Sequence, residues 1–145
     1  MTLPDAVGQA SRNKARYRQA KEAFNRGDLD ACLAHYAADH QIKSRPSARG
    51  GEQIRAFLAG SRLAWPDIQI VVEQAVAEDD WVMGRSVATA THTTAVLGIA
   101  PTGKRIETTF WDLHRFDENG LIVETWNMLD SHTIMTQLGL LPAKQ

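Results

Sequence analysis

Cysteine is nearly absent: Cys32 is the only one in 145 residues, which excludes an intramolecular disulfide and a thiolate zinc cage. A basic excess is also missing. Sixteen lysines and arginines face seventeen acids, a formal charge of −1, whereas a nucleic-acid binder needs a positive surplus against phosphates. No apolar run approaches the length of a bilayer span, and the opening residues Met1 to Asp5 lack a basic-then-apolar leader pattern. No internal repeat and no linker-like break in composition divides the chain. What is present is close to the globular average, with 43% hydrophobic and 23% charged residues. A chain of this length buries enough surface for one core and an internal cavity. The expectation is a soluble, cytoplasmic protein with one domain over residues 1–145 and no nucleic-acid or membrane partner.

Apolar residues recur at helical spacing from Pro4 to Asn25 (Val7, Ala10, Tyr17, Ala20, Phe24). The basic residues between them, Arg12, Lys14, Arg16, Arg18 and Lys21, read as a solvated helix face. Gly27 ends this helix and Asp28 is placed to cap the next, whose buried face is Leu29, Cys32, Leu33 and Tyr36. Residues 39–49 read as extended or loop, with Pro46 as a breaker. A third helix follows Gly51 and is stopped by Trp65-Pro-Asp. Period-two patterns then predict four strands: 68–77, 81–94, 105–116 and 121–129. A short helix over 131–138 ends at Gly139. Three helices before an antiparallel meander predict an α+β fold, with the helices on one face of a curved sheet.

The turn at Asp117-Glu-Asn-Gly120 fits a three-residue hairpin loop with Gly120 in the left-handed region. It sets Asp117 opposite Leu121. Counting back, Asp112 falls opposite Trp126, Phe110 opposite Met128 and Thr108 opposite Asp130. Phe110, Asp112, Trp126, Met128 and Asp130 then share one face, two carboxylates among large apolar side chains. One face of the second strand carries Gly84, Ser86, Ala88, Ala90 and His92, small residues that leave room for a packed helix or for a ligand.

Several short motifs come in a telling order: Phe24-Asn-Arg-Gly-Asp-Leu-Asp, Trp65-Pro-Asp, Thr91-His-Thr, Pro101-Thr-Gly-Lys, Arg115-Phe-Asp-Glu-Asn-Gly-Leu-Ile-Val-Glu, and Trp126 to Asp130 followed by Gln137-Leu-Gly. In this order the chain, from about residue 17 to 140, resembles the SnoaL-like polyketide cyclases (ester cyclases) of the nuclear-transport-factor-2-like superfamily. The resemblance implies a cone-shaped α+β barrel enclosing a deep apolar pocket, and ring closure by intramolecular aldol condensation without metal or cofactor. It implies that Asp130, nine residues before Gly139, is the acid/base, and that His92 lines the pocket. Where the family has a pocket histidine on the third strand, this chain has Asp112. The pocket expected here is lined by Phe24, Tyr36, Trp65, Phe110, Trp111, Trp126 and Met128, and takes a small apolar or polyketide-like molecule.

An aldol closure needs a base beside a carbonyl and a donor for the oxyanion. Desolvation would raise one carboxyl of an Asp112–Asp130 pair and leave the other ionised, with His92 as donor. From position alone, Asp130 also suits the N-cap of the last helix. His114 and His132 read as surface or hairpin residues; a metal site built from Asp112, His114 and a further histidine is disfavoured, and none is expected. Two rivals stand beside the cyclase. One is a binding module that sequesters a small molecule without turnover. The other is an epoxide-hydrolase-like enzyme using Asp112 and Asp130, disfavoured because Phe110 stands where that chemistry wants arginine. Met83, Val87, Trp111 and Leu113, on the opposite sheet face, suit a homodimer interface.

Overall fold

The computed structural model describes residues 3–44 and 51–141, and the end of the expected loop, with Pro46, lies outside them. Helix α1 (Leu3–Asn25) tolerates Pro4 because it sits in the first turn. Asn13, Tyr17, Ala20 and Phe24 recur every three to four residues along α1 and are buried against the sheet. Gly27, at φ +78°, ends it, with the Asp28 amide bonded to the Ala23 carbonyl. Asp28 then caps α2 (Leu29–Leu33) by accepting from the Ala31 amide. Strand β1 (Tyr36–Ile42), helix α3 (Gly51–Ala64), β2 (Gln69–Glu78), β3 (Trp81–Thr91), β4 (Arg105–Phe116), β5 (Ile122–Leu129) and α4 (Ser131–Gln137) follow.

The strands form one mixed sheet in the order β1-β5-β4-β3-β2, open between its edges among the described residues. The meander β2 to β5 is antiparallel, as its alternation predicts, but β1 joins it parallel to β5. Tyr36 was expected on the second helix and residues 39–49 as extended or loop; the strand begins at Tyr36 instead, because its pairing with the last strand is long-range and leaves no local pattern. Helices α1 to α3 cover one face of the sheet. Their apolar side chains meet it in a cluster of Ala20, Phe24, Cys32, Ile42, Ile54 and Leu58. A second cluster of Ala90, Ile106, Ile134 and Leu138 seats α4 on the far end of β4.

The predicted hairpin turn is present. Gly120 has φ +78°, and the Asp117 carboxylate accepts from the Asn119 and Leu121 amides. The register beyond it departs from the expectation. Phe116 pairs with Ile122, but Arg115 pairs with Glu124, so Val123 is an extra residue in β5. From there every partner is displaced by one: Asp112 lies opposite Asn127, Trp111 opposite Met128 and Phe110 opposite Leu129. The bulge therefore exchanges the faces of β5. Thr125 and Asn127 turn towards the helices, while Trp126 and Met128 turn outward and are 46% and 72% exposed.

Candidate functional site

A cavity of about 540 Å³ lies between the helices and the inner face of the sheet. Its walls are largely apolar, with Phe24, Tyr36, Phe57, Trp65, Phe110 and Ile134 among them. Asp112, from β4, is the only carboxylate among the described lining residues, and it is 3% exposed.

Asp112 is met from α1 by two side chains one helical turn apart. The Tyr17 hydroxyl donates to Oδ1 at 2.5 Å, and the Lys21 ammonium donates to Oδ2. The His114 ring follows from β4, its Nε2 3.3 Å from Oδ2. Tyr17 reaches this depth because Gly84, the partner of Asp112 across β3 and β4, has no side chain. A Cβ at Gly84 would stand 1.8 Å from the Tyr17 hydroxyl. Lys21 also lies over the rings of Phe110 and Tyr17, 4.9 Å and 5.2 Å from their centroids.

Burial alone would raise the Asp112 carboxyl, but the Lys21 ammonium and the His114 ring outweigh it and hold the group well below the usual carboxylate range. The upward shift expected from desolvation is thus reversed, because a buried carboxylate with a cation in contact keeps its charge. Tyr17 is pushed the other way, by burial and by the charge and hydrogen bond of Asp112, so it stays a phenol and a donor. Behind Asp112 the polar contacts continue. His114 Nδ1 is 2.7 Å from Thr125 Oγ1, which is also 2.7 Å from His40 Nε2.

The other expected site residues divide. Phe24, Tyr36, Trp65 and Phe110 line the cavity with Asp112. Trp111, Trp126 and Met128 do not; the bulge at Val123 puts the last two on the outer face beside Trp111. Asp130 is exposed and is not part of the lining, although its neighbours Leu129 and Ser131 are. Its carboxylate caps α4, accepting from the Thr133 amide at 3.0 Å and the Thr133 hydroxyl at 2.6 Å. Those bonds hold its carboxyl below the usual range. Asp112 and Asp130 are therefore not brought together as a pair. His92 is fully buried beside Trp65, its Nδ1 accepting from the Thr102 amide, and it is absent from the lining. Among the described residues no group of three or more His, Cys, Asp or Glu side chains is arranged to hold a metal ion.

A family model for SnoaL-like polyketide cyclases matches residues 14–138. The chain belongs to that family. Among solved structures, this SnoaL-like chain is similar to AclR from Streptomyces galilaeus, described as a proposed hydroxylase. The two share 29% identity over 94% of this chain and 90% of that one, with a TM-score of 0.82. It is also similar to IdmH from Streptomyces antibioticus, a proposed polyketide cyclase, at 30% identity over 88% and 98% of the two chains and a TM-score of 0.79. A SnoaL-like protein from Jannaschia sp. CCS1 shares the fold at 22% identity, covering 93% and 94%, with a TM-score of 0.76. No curated protein matches the chain.

Lys21, Tyr17, His114 and Thr125 are the site residues of this SnoaL-like chain that the sequence reading missed. Lys21 belongs to a run read as a solvated face, and His114 was expected near the surface but is 2% exposed. The available signal was the four-residue step from Tyr17 to Lys21, which aligns a phenol and an amine on the flank of a buried helix face.

Proposed function

We propose that the protein binds a small polyketide-type carbonyl compound in this cavity and promotes its ring closure by acid/base chemistry of the aldol type. The observation that carries the reading is the position of Asp112. It is a lone carboxylate on an apolar cavity wall, with a phenol and an ammonium beside it as donors. Lys21 and Tyr17 are suited to hold a substrate carbonyl oxygen as it gains negative charge. Tyr17, whose single hydrogen goes to Asp112, can serve the oxygen only by leaving the carboxylate, and in this reading Lys21 shifts towards the oxygen with it. That shift removes the partner which suppresses the carboxylate's basicity, so substrate binding itself readies Asp112 to take the proton beside the carbonyl. The resulting enolate carbon attacks a second carbonyl of the same molecule, and the proton held on Asp112 returns to the new alkoxide. The family match and the likeness to IdmH support this substrate class. The acid/base role expected of Asp130 passes to Asp112 in this reading, because the Asp130 carboxylate is engaged by Thr133 outside the lining.

The test is turnover of linear aromatic poly-β-keto esters, followed by chromatography and mass spectrometry. Asp112→Asn is expected to slow ring closure by roughly 10²-fold or more. Unchanged turnover in that variant overturns the reading. One observation favours sequestration without turnover: an Asp112 held ionised by Lys21 and His114 is also what a static ion pair would give. Native mass spectrometry separates the two. A retained compound that leaves unaltered, with no product from any ester tried, favours binding alone.

The outer face of the sheet carries the second part of the proposal, a homodimer. Met83, Trp111, Trp126 and Met128 are all exposed there. The ion pairs Arg85–Glu73 and Arg115–Glu124 stand beside this apolar centre and provide both signs of charge for exchange across a two-fold axis.

A further inference from the structure

Asp112 is the end of a buried chain of hydrogen-bonding groups that runs away from the cavity through His114 and Thr125 to His40. His40, Asp112, His114 and Thr125 are each at most 3% exposed. The last atom of the chain, His40 Nδ1, is buried and has no hydrogen-bond partner. With His114 neutral, these facts set where the protons sit. An ionised Asp112 can only accept, so His114 Nε2, 3.3 Å away, must carry a hydrogen. In a neutral ring Nδ1 is then an acceptor, and its partner Thr125 Oγ1 must donate its single hydrogen. The Thr125 oxygen is left to accept from His40, so His40 carries its hydrogen on Nε2. The atom left over, His40 Nδ1, is a bare lone pair. The opposite polarity, with Thr125 donating to His40 Nε2, would leave an orphan N–H there instead, a buried donor without partner.

We infer that His40, Thr125 and His114 are positioning residues whose three hydrogen bonds all point towards Asp112, fixing its carboxylate as an acceptor for Lys21 and Tyr17. The neighbours of the chain agree with it. The Tyr36 ring stands perpendicular to those of His40 and His114, with centroids 4.9 Å and 6.3 Å away, and the Tyr17 centroid lies 5.5 Å from that of His114. No carboxylate other than Asp112 and no cation other than Lys21 contacts these groups among the described residues. Burial lowers His40 to about 4, so it is neutral at neutral pH as the chain requires. The importance of the chain for chemistry rests on the reading of Asp112 as the group that meets substrate; the proton positions do not.

The experiment is side-chain NMR of the full chain. In protein labelled with ¹⁵N-histidine at neutral pH, His40 and His114 are each expected as a single neutral tautomer with the hydrogen on Nε2. A hydrogen on Nδ1 of either ring, or a doubly protonated His114, overturns the chain, and this measurement needs no variant. In ¹³C-aspartate-labelled protein, Thr125→Val is expected to raise the proton affinity of the Asp112 carboxyl about tenfold. Thr125→Ser, which keeps the hydroxyl, should restore it. An Asp112 titration unmoved by Thr125→Val overturns the positioning role. Should Asp112→Asn retain full turnover, the proposed chemistry fails while both spectroscopic results stand.

Discussion

Gly84 and Tyr17 occupy what is sterically a single position: an α-carbon without a side chain on β3 receives the phenol of α1, and a Cβ there would overlap its hydroxyl at 1.8 Å. Gly84→Ala is therefore expected to push Tyr17 off Asp112 and to destabilise the protein by about 1–3 kcal/mol, the usual cost of overpacking. Denaturant unfolding measures this. Combining Gly84→Ala with Tyr17→Phe should relieve only part of the cost, because the ring as well as the hydroxyl lies within 3 Å of the added carbon.

Lys21→Met tests the ion pair. Removing one partner from a buried pair leaves an uncompensated charge, and a loss of about 3–5 kcal/mol is expected, towards the lower end because Lys21 keeps 13% exposure. The double variant Lys21→Met with Asp112→Asn should recover much of that loss in a double-mutant cycle. An equal cost of Lys21→Met with and without Asp112→Asn would show that the pair is not formed.

Acid should weaken the fold in two steps. His40 has a native value lowered from 6.5 to about 4, so the unfolded chain binds more protons between those values. Its contribution is complete above about pH 6.5 and shrinks as pH falls towards 4, by about 3 kcal/mol in all. The depressed Asp112 carboxyl adds a second loss only below its unfolded value near pH 4. His40→Gln is expected to flatten the first step and leave the second. Unfolding free energies measured from pH 8 to pH 3 check both.

The two aspartates should separate by phenotype. Asp130→Ala removes the N-cap of α4 and lowers the melting temperature, whereas Asp130→Asn keeps a capping oxygen and changes it little. Under the proposed function, ring closure follows Asp112 and not Asp130. A rate lost in Asp130→Asn at unchanged melting temperature would return the acid/base role to Asp130.

Sedimentation tests the outer face. The double variant Trp126→Glu, Met128→Glu is expected to convert a dimer to a monomer with little effect on the fold, since both side chains are already exposed. A wild-type protein that sediments as a monomer overturns the dimer.

The helices, the meander and the hairpin turn were legible because each has a local cause: apolar spacing along α1, the Asp28 cap, and Gly120 in a left-handed turn. The site was legible only in part. Asp112 and Phe110 came from alternation, Phe24 and Tyr36 from apolar helical spacing, and Trp65 from a motif shared with the family. Lys21 did not, since a lysine on a helix flank has the same pattern whether it meets water or a carboxylate 91 residues away. Nor did the phase of β5. Ile122, Val123, Glu124 and Thr125 are compatible with either face, and only the pairing with β4 shows which residue is the extra one.

That extra residue gives the chain an unusual way to vary. Pairing Val123 with Arg115 in an unbroken ladder would slip the rest of β5 by one residue and turn it over. Thr125 and Asn127 would go to the outer surface, and Trp126 and Met128 into the cavity, with no side chain chemically altered. Two alternative linings are thus written along one strand, and the bulge, not the composition, chooses between them.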